Sequence, residues 1–192
     1  DLTGIALMLR GVAGQLRKER SEVRADIEEV IGLVNAAIES TRVLATGLSP
    51  VNAERGGLVA ALETLAARLQ DRHGVDVAVT TRFDAPFTLA DAALNHLYRI
   101  AQEAVLNAIR HGNPRHVGIE LALSDGHIRL RIVDDGRGLG TAAPAAAGLG
   151  RRIMRYRAQM LGGTCEVGPA GARGVRVECV CPVAPNLRAA AS

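Results

Sequence analysis

Near the start of the chain, apolar residues recur in alternating steps of three and four, at Leu2, Ile5, Leu9, Val12 and Leu16. That spacing lays a narrow seam along one helix. A polar break at Arg17 to Arg20 follows, and Ser21 can cap a second helix. There the seam resumes at Val23, Ile27, Val30, Val34, Ala37, Thr41, Leu44 and Leu48, widened by Ile31 and Ile38. Two helices joined by a short turn make an antiparallel hairpin over 1–50. A hairpin alone cannot cover both sides of such stripes. Pairing with the hairpin of a second copy, as a four-helix bundle, is expected; packing on the rest of the chain is the competing outcome.

The pattern then changes. Ser49-Pro50 ends the second helix, because the residue before proline avoids the helical region. After a linker to Gly57, Leu58, Ala61, Leu62, Leu65 and Leu69 predict an amphipathic helix stopped by Gly74. Val75 to Val79 alternates as a strand. Thr88, with Asp91 three residues on, has the form of a capping box and opens a long helix to about His111, ended by Gly112-Asn113-Pro114. Strands are expected near Val117 to Leu123 and Ile128 to Val133, with Ser124-Asp125-Gly126 as their turn. A loose Gly, Ala and Pro stretch runs from Asp134 to Gly148. A helix from about Gly150 to Leu161 and strands near Thr164 to Val167 and Val175 to Val180 follow. The tail, 186–192, is Ala-rich and expected to be disordered. The fold class is therefore α+β: a helical hairpin at 1–50, then an α/β sandwich at 51–185 with helices over one face of a mixed sheet.

Composition narrows the partners. Apolar residues make up 48% of the 192 positions but aromatics only 2%, so the core is built from Leu, Val, Ile and Ala. The net charge of +3 is a small excess over many charges of both signs. It does not ask for nucleic acid, whose binders cluster basic residues and stack aromatics. No apolar run reaches the roughly 20 residues needed to cross a bilayer, so no membrane contact is expected. No signal peptide is visible, and the chain starts at Asp1 without Met, as a piece of a longer protein would. The odd set Cys165, Cys179 and Cys181 argues against a disulfide framework and for a reducing, cytoplasmic setting. Cys179 and Cys181 are two apart with no second pair, so structural, half-buried strand cysteines are favoured over zinc.

Three features carry chemistry. On the long helix, Glu103, Asn107 and His111 recur every four residues beside the apolar stripe Leu97, Ile100, Ala101, Ala104, Ala108. They can be a solvated face, or a sheltered polar edge where the Asn107 amide oxygen offers Mg2+ one neutral ligand. Next, Ile132 to Gly138 is a strand ending in acid, then glycines. The Asp134 carboxylate can accept from an exocyclic amine such as that of adenine, with glycines leaving room for a flat base; a plain surface turn is the alternative. Last, Gly148-Leu149-Gly150 leads into a helix, whose N-terminus suits phosphate. A dinucleotide-binding reading fails, because it needs the helix to begin at the first glycines, within a βαβ unit.

In this order, the three features resemble the nucleotide-binding domain of histidine kinases and of the gyrase, Hsp90 and MutL group. QEAVLNAIRHG (102–112) looks like the family's N box, VDDGRGLG (133–140) like its first glycine box, and GLGRRIMRYRAQMLGG (148–163) like its second glycine box and following helix. The match looks closer still to nitrate-sensor and DesK-like kinases, on LSP (48–50), GLVAALETLAARL (57–69) and LYRIAQEA (97–104). The resemblance implies a Bergerat-type fold that binds ATP with Mg2+. Asp134 would bind the adenine amine, Gly136 and Gly138 would border the base, and Asn107 would coordinate Mg2+. Glu103 would orient or deprotonate near the γ-phosphate, and His111 would reach phosphate. Gly148, Leu149 and Gly150 would hold the phosphates and the lid, 139–147. The implied partners are a second copy and the receiver domain of a response regulator.

Two departures stand out. Where the family's last strand usually begins Gly-Thr, with the Thr helping to hold adenine, this chain has Gly174-Val175. The phosphoacceptor His expected on the first helix is missing: the histidines are His73, His96, His111, His116 and His127. A histidine ahead of this fragment would then be the acceptor, and the chain should not phosphorylate itself. Two other readings share the boxes: an ATP-binding regulator or anti-sigma-type Ser/Thr kinase, and a dimeric module with a degenerate pocket. The hairpin with its LSP linker speaks against the first of these, and intact Glu103, Asn107 and Asp134 against the second.

Overall fold

A computed structural model of the chain describes residues 30, 34, 57–84, 89–139 and 149–183. Val30 and Val34 are helical. The rest of the expected hairpin, its pairing, the lid beyond Leu139 and the tail lie outside the described residues. The chain divides into two compact units, the larger of which holds 57–84, 89–139 and 154–183.

The described elements are α1 (Gly57–His73), β1 (Asp76–Phe83), α2 (Asp91–Asn107) with a π-helical turn (Ala108–Gly112), β2 (His116–Ser124), β3 (His127–Asp134), α3 (Leu149–Gln159), β4 (Thr164–Pro169) and β5 (Val175–Pro182). The strands form one sheet in the order β1-β2-β3-β5-β4. β1 runs parallel to β2 and every other pair is antiparallel, so the sheet is mixed, as expected.

Alternation decides which face is covered. Val117, Ile119, Leu121 and Leu123 of β2 are buried, as are Ile128, Leu130 and Ile132 of β3 and Val177, Cys179 and Cys181 of β5. Register aligns them in rows, for instance Thr81, Leu121, Leu130, Cys179 and Cys165. α1 covers its share with Leu58, Leu62, Leu65, Ala66 and Leu69, and α2 with Leu94, Leu97, Tyr98, Ile100, Ala101, Ala104 and Val105. The opposite face is polar, with long Glu–Arg contacts such as Arg131 Nη1 to Glu120 Oε2 at 3.9 Å. Partly exposed pairs of this kind stabilise little.

Some boundaries differ from the sequence pattern. α2 starts at Asp91 rather than at Thr88; its N-cap is Ala90, with no side-chain cap. The Ala90 carbonyl closes the first turn, accepting from the Ala93 N–H at 2.8 Å, and Asp91 places a negative charge beside the helix's positive end. Gly74 does stop α1, at φ 66°, its N–H donating to the Gln70 carbonyl at 2.8 Å. The cysteines are fully buried rather than half-buried, because all three occupy inward positions of β4 and β5. Burial pushes the Cys165 thiol up to about 11. Thiolate is the reactive form. Because all three thiols are buried, a thiol reagent should label the folded chain slowly and all three cysteines in denaturant; fast labelling of the folded chain would contradict this packing.

Candidate functional site

The inward alternation of β3, Ile128, Leu130, Ile132, reaches its next inward position at Asp134. A carboxylate is thereby carried into the apolar layer: Asp134 is 4% exposed and the one buried charged residue among those described. Oδ1 accepts from the Gly136 N–H at 2.9 Å and Oδ2 from the Val175 N–H at 3.2 Å. Burial raises its pKa above the ordinary carboxylate range, opposed by those two hydrogen bonds and reinforced by the charge of Asp135. A carboxylate oxygen has more than one acceptor position, so Asp134 keeps capacity for an N–H from a ligand. At Val175 the backbone supplies the bond to Asp134; the side chain, lacking a hydroxyl, cannot.

Three stretches of backbone meet around this carboxylate. A β-carbon at Gly112 would lie 3.4 Å from Asp134 Oδ1; one at Gly136 would lie 2.7 Å from the Gly112 carbonyl oxygen and 2.8 Å from Asp134 Oδ1. One at Gly174 would run into the Asp134 carbonyl oxygen. The approach is held by Arg137 N–H to the Gly112 carbonyl and Gly174 N–H to the Gly136 carbonyl, each 2.9 Å. Gly136 is thus spaced for neighbouring backbone on its Cβ side. Gly138, at φ 83°, packs against Gly174. The sequence pattern presents Gly112 only as a helix stop and Gly174 only as the start of a strand, and their role around Asp134 is missed.

Glu103 and Asn107 lie one turn apart on α2, both partly exposed. The Asn107 Nδ2 donates to Glu103 Oε1 at 3.0 Å. Its Oδ1 accepts no hydrogen bond from the described residues. Also among the described residues, no three His, Cys, Asp or Glu side chains gather as a metal cage. A cation here would draw on Asn107 Oδ1 and on non-protein oxygens, a donor set that fits Mg2+. Glu103 and Asn107 lie on α2, whereas His111 lies just past its end. From Ala108 the helix widens into the π-helical turn, which adds a residue per turn, and His111 sits there exposed. That turn also carries Gly112 to the Asp134 carboxylate. Gly148 lies outside the described residues; Leu149 and Gly150 open α3.

Asp135 points the other way. It is exposed, and its Oδ1 accepts from the N–H groups of Arg115 at 2.8 Å and His116 at 3.0 Å, while Oδ2 lies 2.9 Å from His116 Nδ1. The His116 N–H and side chain, with the Arg115 N–H, hold its carboxyl at about 2. Neither residue is distinguished by the sequence motifs alone.

Residues 92–185 match the family model for the histidine kinase-, DNA gyrase B-, and HSP90-like ATPases. The sensor histidine kinase LiaS of Bacillus subtilis (strain 168) is 27% identical over 186 residues, covering 97% of this chain and 51% of LiaS. The sensor protein VraS of Staphylococcus saprophyticus is 28% identical over 170 residues, covering 86% of this chain and 48% of VraS. The chain thus spans about half the length of these two relatives. Among solved structures, the histidine kinase domain of the Erythrobacter litoralis EL346 blue-light activated histidine kinase aligns with a TM-score of 0.55 at 21% identity, covering 94% of this chain and 96% of that one. The ATP binding domain of PrrB from Mycobacterium tuberculosis aligns at 0.51 with 20% identity, covering 66% and 94%. The fold is that of the histidine kinase ATPase domains, and residues 92–185 form a domain of this type. No helix among the described residues is long and apolar enough to cross a membrane.

Proposed function

We propose that this chain binds Mg-ATP and is the catalytic core of a cytoplasmic two-component sensor histidine kinase of the nitrate-sensor or DesK-like type. The observation that carries the reading is the buried, doubly hydrogen-bonded Asp134 at one end of a helix-backed sheet, with the Glu103–Asn107 pair on the helix that leads to it. Asp134 accepts the exocyclic amine of adenine, and Gly136 and Gly138 border the base. Asn107 would hold Mg2+ through Oδ1, its Nδ2 being engaged by Glu103, and Glu103 would orient or deprotonate near the γ-phosphate. His111 reaches phosphate. Gly148, Leu149 and Gly150, with the lid 139–147, hold the phosphates. The cation, when bound, neutralises phosphate charge; the rest of the catalysis is positioning. The phosphoryl group passes to a histidine and then to the receiver Asp of a response regulator, and the hairpin at 1–50 pairs two copies.

Calorimetric titration with ADP and ATP tests the pocket. Binding should be magnesium-dependent, and Asn107→Ala should remove most of the magnesium effect while leaving magnesium-free binding little changed. No heat from either nucleotide would overturn the reading. A second expectation concerns the acceptor. Residues 1–72 contain no histidine, and transfer needs a nitrogen in line with the γ-phosphate. Incubation with γ-labelled ATP should leave this chain unlabelled; stoichiometric acid-labile label would place an acceptor within it.

A further inference from the structure

Asp134 is the last residue of β3, and the chain must leave the sheet at once to bring Gly136 against Gly112. An antiparallel hydrogen-bonded pair exchanges two backbone bonds. At the end of the β2–β3 ladder only one is made: the Asp135 N–H donates to the His116 carbonyl at 3.3 Å. The return bond, from the His116 N–H, goes to the Asp135 side chain. The same oxygen also takes the Arg115 N–H. The carboxylate thus stands in for the strand's own carbonyl and frees the backbone to turn. It also ties the loop behind the π-helical turn to the loop behind β3. Two residues further on, the Gly112 carbonyl to Arg137 N–H bond fastens the same two loops again. One loop follows the helix bearing Glu103 and Asn107, and the other carries Asp134, Gly136 and Gly138.

We propose that Asp135 is a positioning residue for base recognition: touching no ligand itself, it sets the direction of the Asp134 carboxylate by closing the β2–β3 ladder through its side chain. The proposal rests on the nucleotide-binding reading above. It has a signature that loss of stability alone lacks. Adenine offers an exocyclic amine to Asp134, whereas hypoxanthine carries a carbonyl there. A misdirected carboxylate loses its preference between the two; a merely less stable domain, measured well below its melting temperature, keeps it.

The test is calorimetric titration of the full chain with ADP and with IDP, in wild type, Asp135→Ala, Asp135→Asn and Asp134→Asn, each at a temperature where thermal melts show it folded. Wild type should prefer ADP. Asp135→Ala should weaken ADP by up to roughly tenfold, the size of one net hydrogen bond, and should lower the ADP-to-IDP ratio. Asp135→Asn keeps an amide oxygen for the Arg115 and His116 N–H groups and should restore both affinity and ratio. If wild type binds, Asp134→Asn loses ADP, and Asp135→Ala matches wild type in affinity and ratio, the positioning role is wrong. An Asp135→Ala variant weakened equally for both nucleotides also overturns it. If wild type binds neither nucleotide, the nucleotide reading itself has failed.

Discussion

Alanine at position 174 should destabilise the domain by about 3 kcal/mol and remove nucleotide binding with it. Gly174 has φ 80°, where a residue with a β-carbon costs roughly 1–2 kcal/mol. The added methyl is also aimed at the Asp134 carbonyl oxygen. Relieving such a contact in packed backbone adds roughly 1–3 kcal/mol. The strand that must shift is β3, which carries Asp134, so stability and site fail together. Gly171 is a nearby control, with nothing within 4 Å of a β-carbon and no left-handed φ. Urea unfolding of the two alanine variants decides: equal midpoints would mean that the backbones at 134 and 174 are not in contact.

Asp134→Asn should weaken ADP and ATP by about 1.5–3 kcal/mol, the range for hydrogen bonds to a charged group, which is roughly ten- to a hundredfold or slightly more. The pH dependence adds a second mark. Burial raises the Asp134 pKa in the free protein, so a ligand N–H that needs the ionised form binds less well as pH falls through that raised value. Stability of the free domain moves the other way. The folded pKa lies above the unfolded one, so the penalty for the buried charge is fully present above the folded pKa and fades as pH falls through it. Asn removes the titration: affinity should be lower and its acid-side slope gone. A variant with wild-type affinity, or one that keeps the slope, would remove Asp134 from the site.

Much of this molecule is legible in its pattern of residues. The turn Ser124-Asp125-Gly126 and the alternation on either side of it predict β2 and β3 to within a residue or so, since period two and an Asp-Gly turn are local signals. The same alternation places Asp134 inward. The α1 and α2 faces follow from apolar spacing in the same way. What escapes is non-local. Nothing in the last strand's own residues says that it lies between β3 and β4. The π-helical turn at Ala108–Gly112 is invisible because Ala108 and Ile109 continue an ordinary helical apolar stripe. Asp135 reads as half of a turn dipeptide; its partners, Arg115 and His116, are twenty and nineteen residues away.

The sheet order also sets a timetable for synthesis. β5 is the last strand in the described chain, yet it lies between β3 and β4. A nascent chain can pair β1 with β2 and β2 with β3 as they emerge, but β3 keeps an open edge, and β4 has no partner, until Val175–Pro182 has left the ribosome. Gly174 and Val175, which close the Asp134 cage, arrive in that same final stretch. The surroundings of Asp134 are therefore completed only when translation of the domain is nearly finished, and a chain released early presents a bare strand edge that invites association with other chains.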